Sequence, residues 1–228
     1  MDEDMKNGMP DIGFSENMAP AVSDFLSFES SFRQLMFLYE AAILQIESRL
    51  EILKKEFQFS NDRNPIENVK SRVKSQESIL RKLKVRGLDV TFSSMTTNIF
   101  DIAGVRVICP FIQDVYFIAK MLLSQKDIQL VEVKDYIKNP KDNGYRSLHL
   151  IVLVEVSLSS ETRQIPVEIQ IRTIAMNFWA STEHQLRYKK DREFTLEDQN
   201  KLKECADLMA MADEQMQSIA GRFDYDQW

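Results

Sequence analysis

Residues 164–173, Gln164-Ile-Pro-Val-Glu-Ile-Gln-Ile-Arg-Thr173, alternate between apolar and polar side chains from Val167 to Arg172. Successive side chains of a strand point to opposite faces, so Val167, Ile169 and Ile171 share one face while Glu168, Gln170 and Arg172 share the other. The first is a core face; the second cannot be core. Such a strand needs neighbours, and they lie upstream. Gly104-Val-Arg-Val-Ile-Cys109 reads as a strand stopped by Pro110, with Val105 and Val107 facing away from Arg106. Leu130 to Lys134 reads as a short strand, Ser147 to Val156 as a central strand with little polar interruption, and Asp114 to Ser124 as a crossover helix. The predicted sheet is mixed.

Helices are predicted around it. From Ser27 to Phe57, Phe28, Phe32, Leu35, Tyr39, Ala42, Ile46 and Leu53 recur at helical spacing, which predicts a long amphipathic helix. Ser60-Asn-Asp-Arg-Asn-Pro65 interrupts it, and Pro65 suits the first turn of a second helix through Ile66, Val69 and Val73 toward Leu83. A helix after Thr173 carries Met176, Phe178, Trp179 and Leu186, with Phe178 and Trp179 expected in the core. A last one after Thr195 carries Leu202, Ala206, Met209, Met216 and Phe223, with Thr195 and Asp198 as its capping pair. Residues 1–24, punctuated by Gly8, Pro10, Gly13 and Pro20, read as a flexible lead-in. The fold class is therefore α+β: a mixed sheet flanked by helices, with long helices at both ends.

The chain has 228 residues, 44% apolar and 28% charged, which fits one folded unit and excludes the disordered, collagen-like and disulfide-rich classes. No apolar run is long enough to span a membrane and no secretory leader is evident, so a cytoplasmic location is expected. Cys109 and Cys205 lack metal-ligand spacing and read as buried free thiols. A net charge of −6 argues against nucleic acid as the main ligand, so any anion site must be local. Lys70, Arg72, Lys74, Arg81, Lys82, Lys84 and Arg86 supply such a locality.

On a helix, Lys74, Ser78 and Lys82 would form a row of cations and a hydroxyl suited to a chain of phosphates, or simply a solvated basic face. Asp101 and Glu168, each beside or within an apolar strand, are suited to hold Mg²⁺ or to take a proton from a hydroxyl nucleophile. Lys141-Asp-Asn-Gly-Tyr-Arg-Ser-Leu-His149 joins an Asn-Gly turn to a strand. Within it Tyr145 can stack on a base, Lys141 and Arg146 can meet phosphates, and His149 can donate to a phosphate oxygen. A hairpin with a surface tyrosine explains each residue singly but not the set. Downstream, the Asn177 amide can read a base edge and Glu183 can accept from a ring amine or ribose hydroxyl. No GxxxxGK[ST] loop, GxGxxG fingerprint or His/Cys metal cluster is present, so side chains and a cation must hold any phosphate.

At these residues the sequence resembles the alarmone synthetases of the RelA/SpoT-homologue family. The matching runs are Arg72-Val-Lys-Ser with Ser78 and Lys82, Asp101-Ile-Ala-Gly-Val-Arg106, Lys134-Asp-Tyr-Ile, Asn143-Gly-Tyr-Arg-Ser-Leu-His149, Val167-Glu-Ile-Gln-Ile-Arg-Thr173, and Phe178-Trp-Ala with Glu183-His. Together they cover most of Pro65 to Lys189. The resemblance implies a nucleotidyltransferase-like sheet, a single synthetase domain over residues 25–228 without hydrolase or regulatory domains, and a homotetramer assembled through the terminal helices. It also implies transfer of pyrophosphate from ATP to the 3′-hydroxyl of GDP or GTP. On the ATP side it implies Arg72, Lys74, Ser78 and Lys82 at the phosphates, with Arg72 and Arg106 sandwiching adenine. Asp101 would hold Mg²⁺ (or Mn²⁺), and Glu168 would bind the metal or act as base. On the acceptor side Tyr145 would stack on guanine, with Lys141 and His149 at the phosphates and Asn177 at the base; Lys134, Arg146, Gln170 and Glu183 complete that set. Two rival readings share parts of this pattern: a nucleotidyltransferase with another acceptor, and a guanine-nucleotide or RNA-binding regulator that has lost the chemistry.

Overall fold

A computed structural model describes residues 22–60, 63–187 and 194–223. Among these residues five strands form one sheet in the order β1-β2-β5-β4-β3: β1 (Asn68–Val73), β2 (Ala103–Cys109), β3 (Ile128–Asp135), β4 (Leu148–Ser157) and β5 (Thr162–Thr173). Only β2 and β5 pair in parallel, so the sheet is mixed. The alternation in β5 is realised as expected, with Val167, Ile169 and Ile171 fully buried. Their neighbours in register are Val105 and Val107 on β2 and Leu148, Leu150 and Val152 on β4, all buried. The common face is covered by α1 (Val22–Ser60) and α4 (Ile112–Leu123).

Helix α1 presents Leu35, Leu38, Tyr39, Ala42, Ile46, Leu50, Leu53 and Phe57 to this core, a stripe at three- and four-residue spacing. A second stripe of the same helix, Phe37, Leu44, Ile52 and Phe59, stays exposed. The start of α1 at Val22 makes the last three residues of the expected lead-in helical; the rest of that segment, Lys189 and the Phe223 side chain lie outside the described residues.

The helix predicted from Pro65 to Leu83 is not formed as such. Residues 68–73 are the edge strand β1, and a helix begins only at α2 (Gln76–Val85), capped by Ser75, whose hydroxyl accepts from the Ser78 amide. Val69 and Val73, four apart, fit one helical face, but they fit one strand face equally, and with Ser71 they lie opposite Val107, Ala103 and Val105. A short helix, α3 (Phe92–Asn98), precedes β2 and was not expected. After β5 come α5 (Ile174–Arg187) and α6 (Leu196–Ala220), the latter with the predicted Thr195–Asp198 capping box. Trp179 is buried on α5, its indole N–H donating to the Leu202 carbonyl at 2.7 Å. Phe178, expected in the core, is 60% exposed, because the helix turns that position away from α6. Cys109 is buried as expected, whereas Cys205 is exposed on the outer side of α6. Among the described residues no helix is long and apolar enough to cross a membrane.

Candidate active site

The polar face of the sheet carries the candidate residues in two register rows. Lys70, Arg106, Gln170, His149 and Lys134 lie side by side across all five strands, and Arg72, Gly104, Glu168, Ile151 and Glu132 form the adjacent row. The parallel pairing of β2 with β5 brings Asp101, two residues before β2, to the same end of the sheet as Glu168. The two carboxylates are near enough for the charge of Asp101 to act on Glu168.

Asp101 is the focus of the basic stretch. Its Oδ2 accepts from Lys74 Nζ at 2.5 Å and from Lys82 Nζ at 2.7 Å, while Oδ1 is buried without a partner. Lys74 sits between β1 and α2 and Lys82 on α2, so the predicted row on one helical face is replaced by two lysines that converge on Asp101 from a loop and a helix, while Arg72 lies on β1. Burial opposes ionisation of Asp101, but the two lysines outweigh it and hold the carboxyl below the usual range. Lys82 is also lowered, by burial first and then by the charges of Lys74 and Arg86 against the pull of Asp101. Two cations share one anion here, and the surplus positive charge suits a further anion. Ser78 lies on the same helix with its hydroxyl 2.9 Å from that of Ser75. Arg106 extends the positive region: its Nε is buried without a partner, and burial, with the charge of Arg172, lowers its proton affinity.

The second cluster surrounds Tyr145. The Asn143-Gly144 turn is closed by the Gly144 amide donating to the Lys141 carbonyl at 2.8 Å and by the Asn143 side chain accepting from the Tyr145 amide at 3.2 Å. Gly144 has φ +86°, and a Cβ there would lie 2.5 Å from the Ala206 Cβ, so the turn rests directly on α6. Lys141 Nζ stands 4.6 Å from the Tyr136 ring centre and 5.0 Å from that of Tyr145. The Tyr145 hydroxyl meets His149 Nε2 at 2.8 Å, and His149 Nδ1 faces Glu168 Oε1 at 3.2 Å. Gln170 Nε2 donates to Glu168 Oε2 at 2.7 Å. Burial alone would raise Glu168, but His149, and to a lesser degree Gln170, hold it below the usual carboxyl range.

Tyr145, His149, Glu168, Gln170 and Lys141 thus form one cluster, and Lys74, Lys82 and Asp101 another. Asn177 on α5 buries its Oδ1 without a partner. Three expected site residues are engaged otherwise. The Arg146 guanidinium is held by α6, donating to the Ala206 carbonyl at 3.2 Å with Asp207 at 3.6 Å. Glu183 pairs with Arg187 one turn along α5, and Lys134 pairs with Glu132 at 2.9 Å. Arg172 and Tyr136 were not singled out from the sequence. Arg172 is buried behind Tyr145, and Tyr136 packs edge-on to His149 at 5.3 Å between ring centres. The signal for Arg172 was its place in the Glu168-Gln170-Arg172 alternation; Tyr136, outside any periodic pattern, was marked only by the matching run Lys134-Asp-Tyr-Ile.

The polar face of this mixed sheet thus sets a lysine-clamped carboxylate beside a histidine-clamped one, with cations and aromatic rings around them. The chain belongs to the RelA/SpoT family: residues 71–193 match the profile described as the region found in RelA / SpoT proteins. It is 41% identical over 203 residues to the GTP pyrophosphokinase YwaC of Bacillus subtilis, covering 89% of this chain and 97% of that protein. The crystal structure of small alarmone synthetase 1 from Bacillus subtilis bound to its product pppGpp superposes with a TM-score of 0.78 at 34% identity, covering 85% of this chain and 98% of that one. The same enzyme bound to AMPCPP gives a TM-score of 0.72 at 31% identity, with the same coverage.

Proposed function

We propose that the chain is a (p)ppGpp synthetase, transferring the βγ-pyrophosphate of ATP to the 3′-hydroxyl of GDP or GTP and releasing AMP. The observation that carries this reading is the meeting on one sheet face of Asp101, held by Lys74 and Lys82, with the Tyr145–His149–Glu168 cluster. The names of YwaC and of the pppGpp-bound and AMPCPP-bound relatives support it.

On the donor side Lys74, Ser78 and Lys82 take the phosphates of ATP, and Arg72 and Arg106 flank its adenine. On the acceptor side Tyr145 stacks on guanine, Lys141, His149 and Gln170 lie toward the phosphates, and Asn177, whose amide oxygen is buried without a partner, reads the base. Glu168 accepts the 3′-hydroxyl proton as the oxygen attacks the β-phosphorus. The bond from that phosphorus to the α–β bridging oxygen breaks, and AMP leaves. Such transfers depend on positioning and charge neutralisation more than on covalent chemistry.

A divalent cation fits the donor set. Asp101 Oδ1 is buried and free, and no group of three or more Asp, Glu, His or Cys that could hold a metal occurs among the described residues. One or two carboxylates, completed by substrate oxygens and water, suit Mg²⁺, with Mn²⁺ as the alternative. Asp101 would hold it with Glu168 close by, and when bound it neutralises charge on the transferred group. The exposed apolar stripe of α1 and the exposed Leu208, Met211, Met216 and Ile219 of α6 support assembly into a homotetramer through the terminal helices.

Incubation with ATP, GDP and Mg²⁺ tests the reading: AMP and a 3′-pyrophosphorylated guanosine product appear in equal amounts. AMP formed without that product would point to another acceptor. Nucleotide binding without turnover would make the protein a regulator.

A further inference from the structure

Arg172 is 4% exposed, yet its guanidinium is spent on uncharged partners. One nitrogen, Nη2, donates to the Tyr145 hydroxyl at 2.6 Å and to Gln170 Oε1 at 2.8 Å, and Nε donates to Ser147 Oγ at 3.3 Å. From Tyr145 the chain continues through His149 to Glu168 Oε1, and from Gln170 to Glu168 Oε2. Arg172 and Glu168 are therefore joined twice, by two arms that close a ring of five side chains. Glu168 and Arg172 lie four residues apart on the same face of β5, which puts them at opposite ends of that ring.

The polarity of the ring follows from its ends. A guanidinium has no acceptor, and an ionised carboxylate has no donor. On the Gln170 arm each link must then point from Arg172 toward Glu168. On the other arm the ionised Glu168 fixes a proton on His149 Nδ1, and with the imidazole neutral the Tyr145 O–H donates to Nε2. The Gln170 amide is oriented with its oxygen toward Arg172 and its nitrogen toward Glu168.

We infer that Arg172 is a positioning residue for the proposed reaction: through Tyr145 it holds a hydroxyl on His149 Nε2, and through Gln170 it aims Glu168. This deepens the synthetase reading and rests on it for its catalytic consequence, but the hydrogen bond at Nε2 is a property of the protein alone.

Two measurements test it. The chain has two histidines, so His184→Gln assigns the imidazole nitrogen signals of His149 in a ¹⁵N spectrum. At neutral pH the protein shows a protonated Nδ1 and an unprotonated, hydrogen-bonded Nε2 on His149, and Tyr145→Phe and Arg172→Lys each move the Nε2 signal toward that of an imidazole nitrogen without a donor. A proton on Nε2 in the unsubstituted protein overturns the inference, as does an Nε2 signal indifferent to both changes. In turnover, each single variant lowers kcat on the order of tenfold with the KM for ATP unchanged. The double variant loses less than the roughly hundredfold product of the single losses, because the two substitutions share the Tyr145 arm. Additive losses overturn the coupling. Should Arg172→Lys not fold, Tyr145→Phe alone still decides the Nε2 contact. A protein that makes no guanosine product while keeping the Nδ1 proton would sink the synthetase reading and leave the ring in place.

Discussion

His149 and Glu168 face each other across the β4–β5 pairing, with Nδ1 3.2 Å from Oε1, and this contact is the main force holding a half-buried carboxyl ionised. Burial pulls Glu168 up, and His149 together with Gln170 outweighs it. In His149→Leu burial dominates and the Glu168 value rises, so the acidic limb of the kcat profile moves to higher pH. An unmoved limb in pH-dependent steady-state assays would assign that limb to another group.

Glu168→Gln keeps a hydrogen-bonding side chain of the same size but removes the proton acceptor. Synthesis falls by at least about a hundredfold, the usual scale of general-base catalysis, while ATP and GDP binding by calorimetry stays measurable. Full activity in this variant places the base elsewhere.

Asp101 makes a separate prediction for stability. Its carboxyl is depressed by Lys74 and Lys82, so its contribution is complete above the ordinary carboxyl range and is lost as pH falls through the depressed value. Asp101→Asn flattens the acid side of the stability profile, read as Tm against pH below about pH 5. A profile that falls as steeply as before shows that other groups govern it. The same substitution lowers synthesis at every Mg²⁺ concentration.

At Gly144 the backbone is left-handed, and an added methyl group meets the Ala206 methyl. Gly144→Ala costs about 1–3 kcal/mol in chemical denaturation. Ala206→Gly in the same chain recovers the steric part but not the backbone part. No recovery at all would mean that α6 does not bear on the turn.

The outer stripe of α1 is independent of the core stripe. Leu44→Glu with Ile52→Glu reduces the mass seen by light scattering to that of a smaller species, with helical content unchanged. An unchanged mass assigns the assembly surface to α6 or excludes assembly.

The sheet and its ligand face were legible because β5 alternates and its neighbours are long apolar runs. The first strand was not. Val69 and Val73 satisfy both a helical turn and a strand face, and an exposed edge strand with Lys70, Ser71 and Arg72 offers few apolar residues to break the tie. That error hid the reason for the basic stretch. On one helix Lys74 and Lys82 would lie two turns apart, whereas the reversal between β1 and β2 brings both onto Asp101. Helix α3 was invisible for a similar reason: it buries only Met95 among seven residues. The Tyr145 cluster was legible residue by residue, but its wiring was not. Arg146 looked like a phosphate ligand because nothing local announces that α6 will take its guanidinium.

The seat of the Asn143-Gly144 turn on α6 has a thermodynamic consequence. A free glycine-bearing loop must surrender backbone entropy when a ligand orders it, roughly 1–2 kcal/mol per residue. Here Gly144 already packs on Ala206 and Arg146 is already tethered to its carbonyl, so that loss falls on folding instead of binding. The loop is thus pre-ordered by a helix from the other end of the chain. If it takes the acceptor as proposed, loosening α6 weakens affinity for that nucleotide without changing a side chain of the loop.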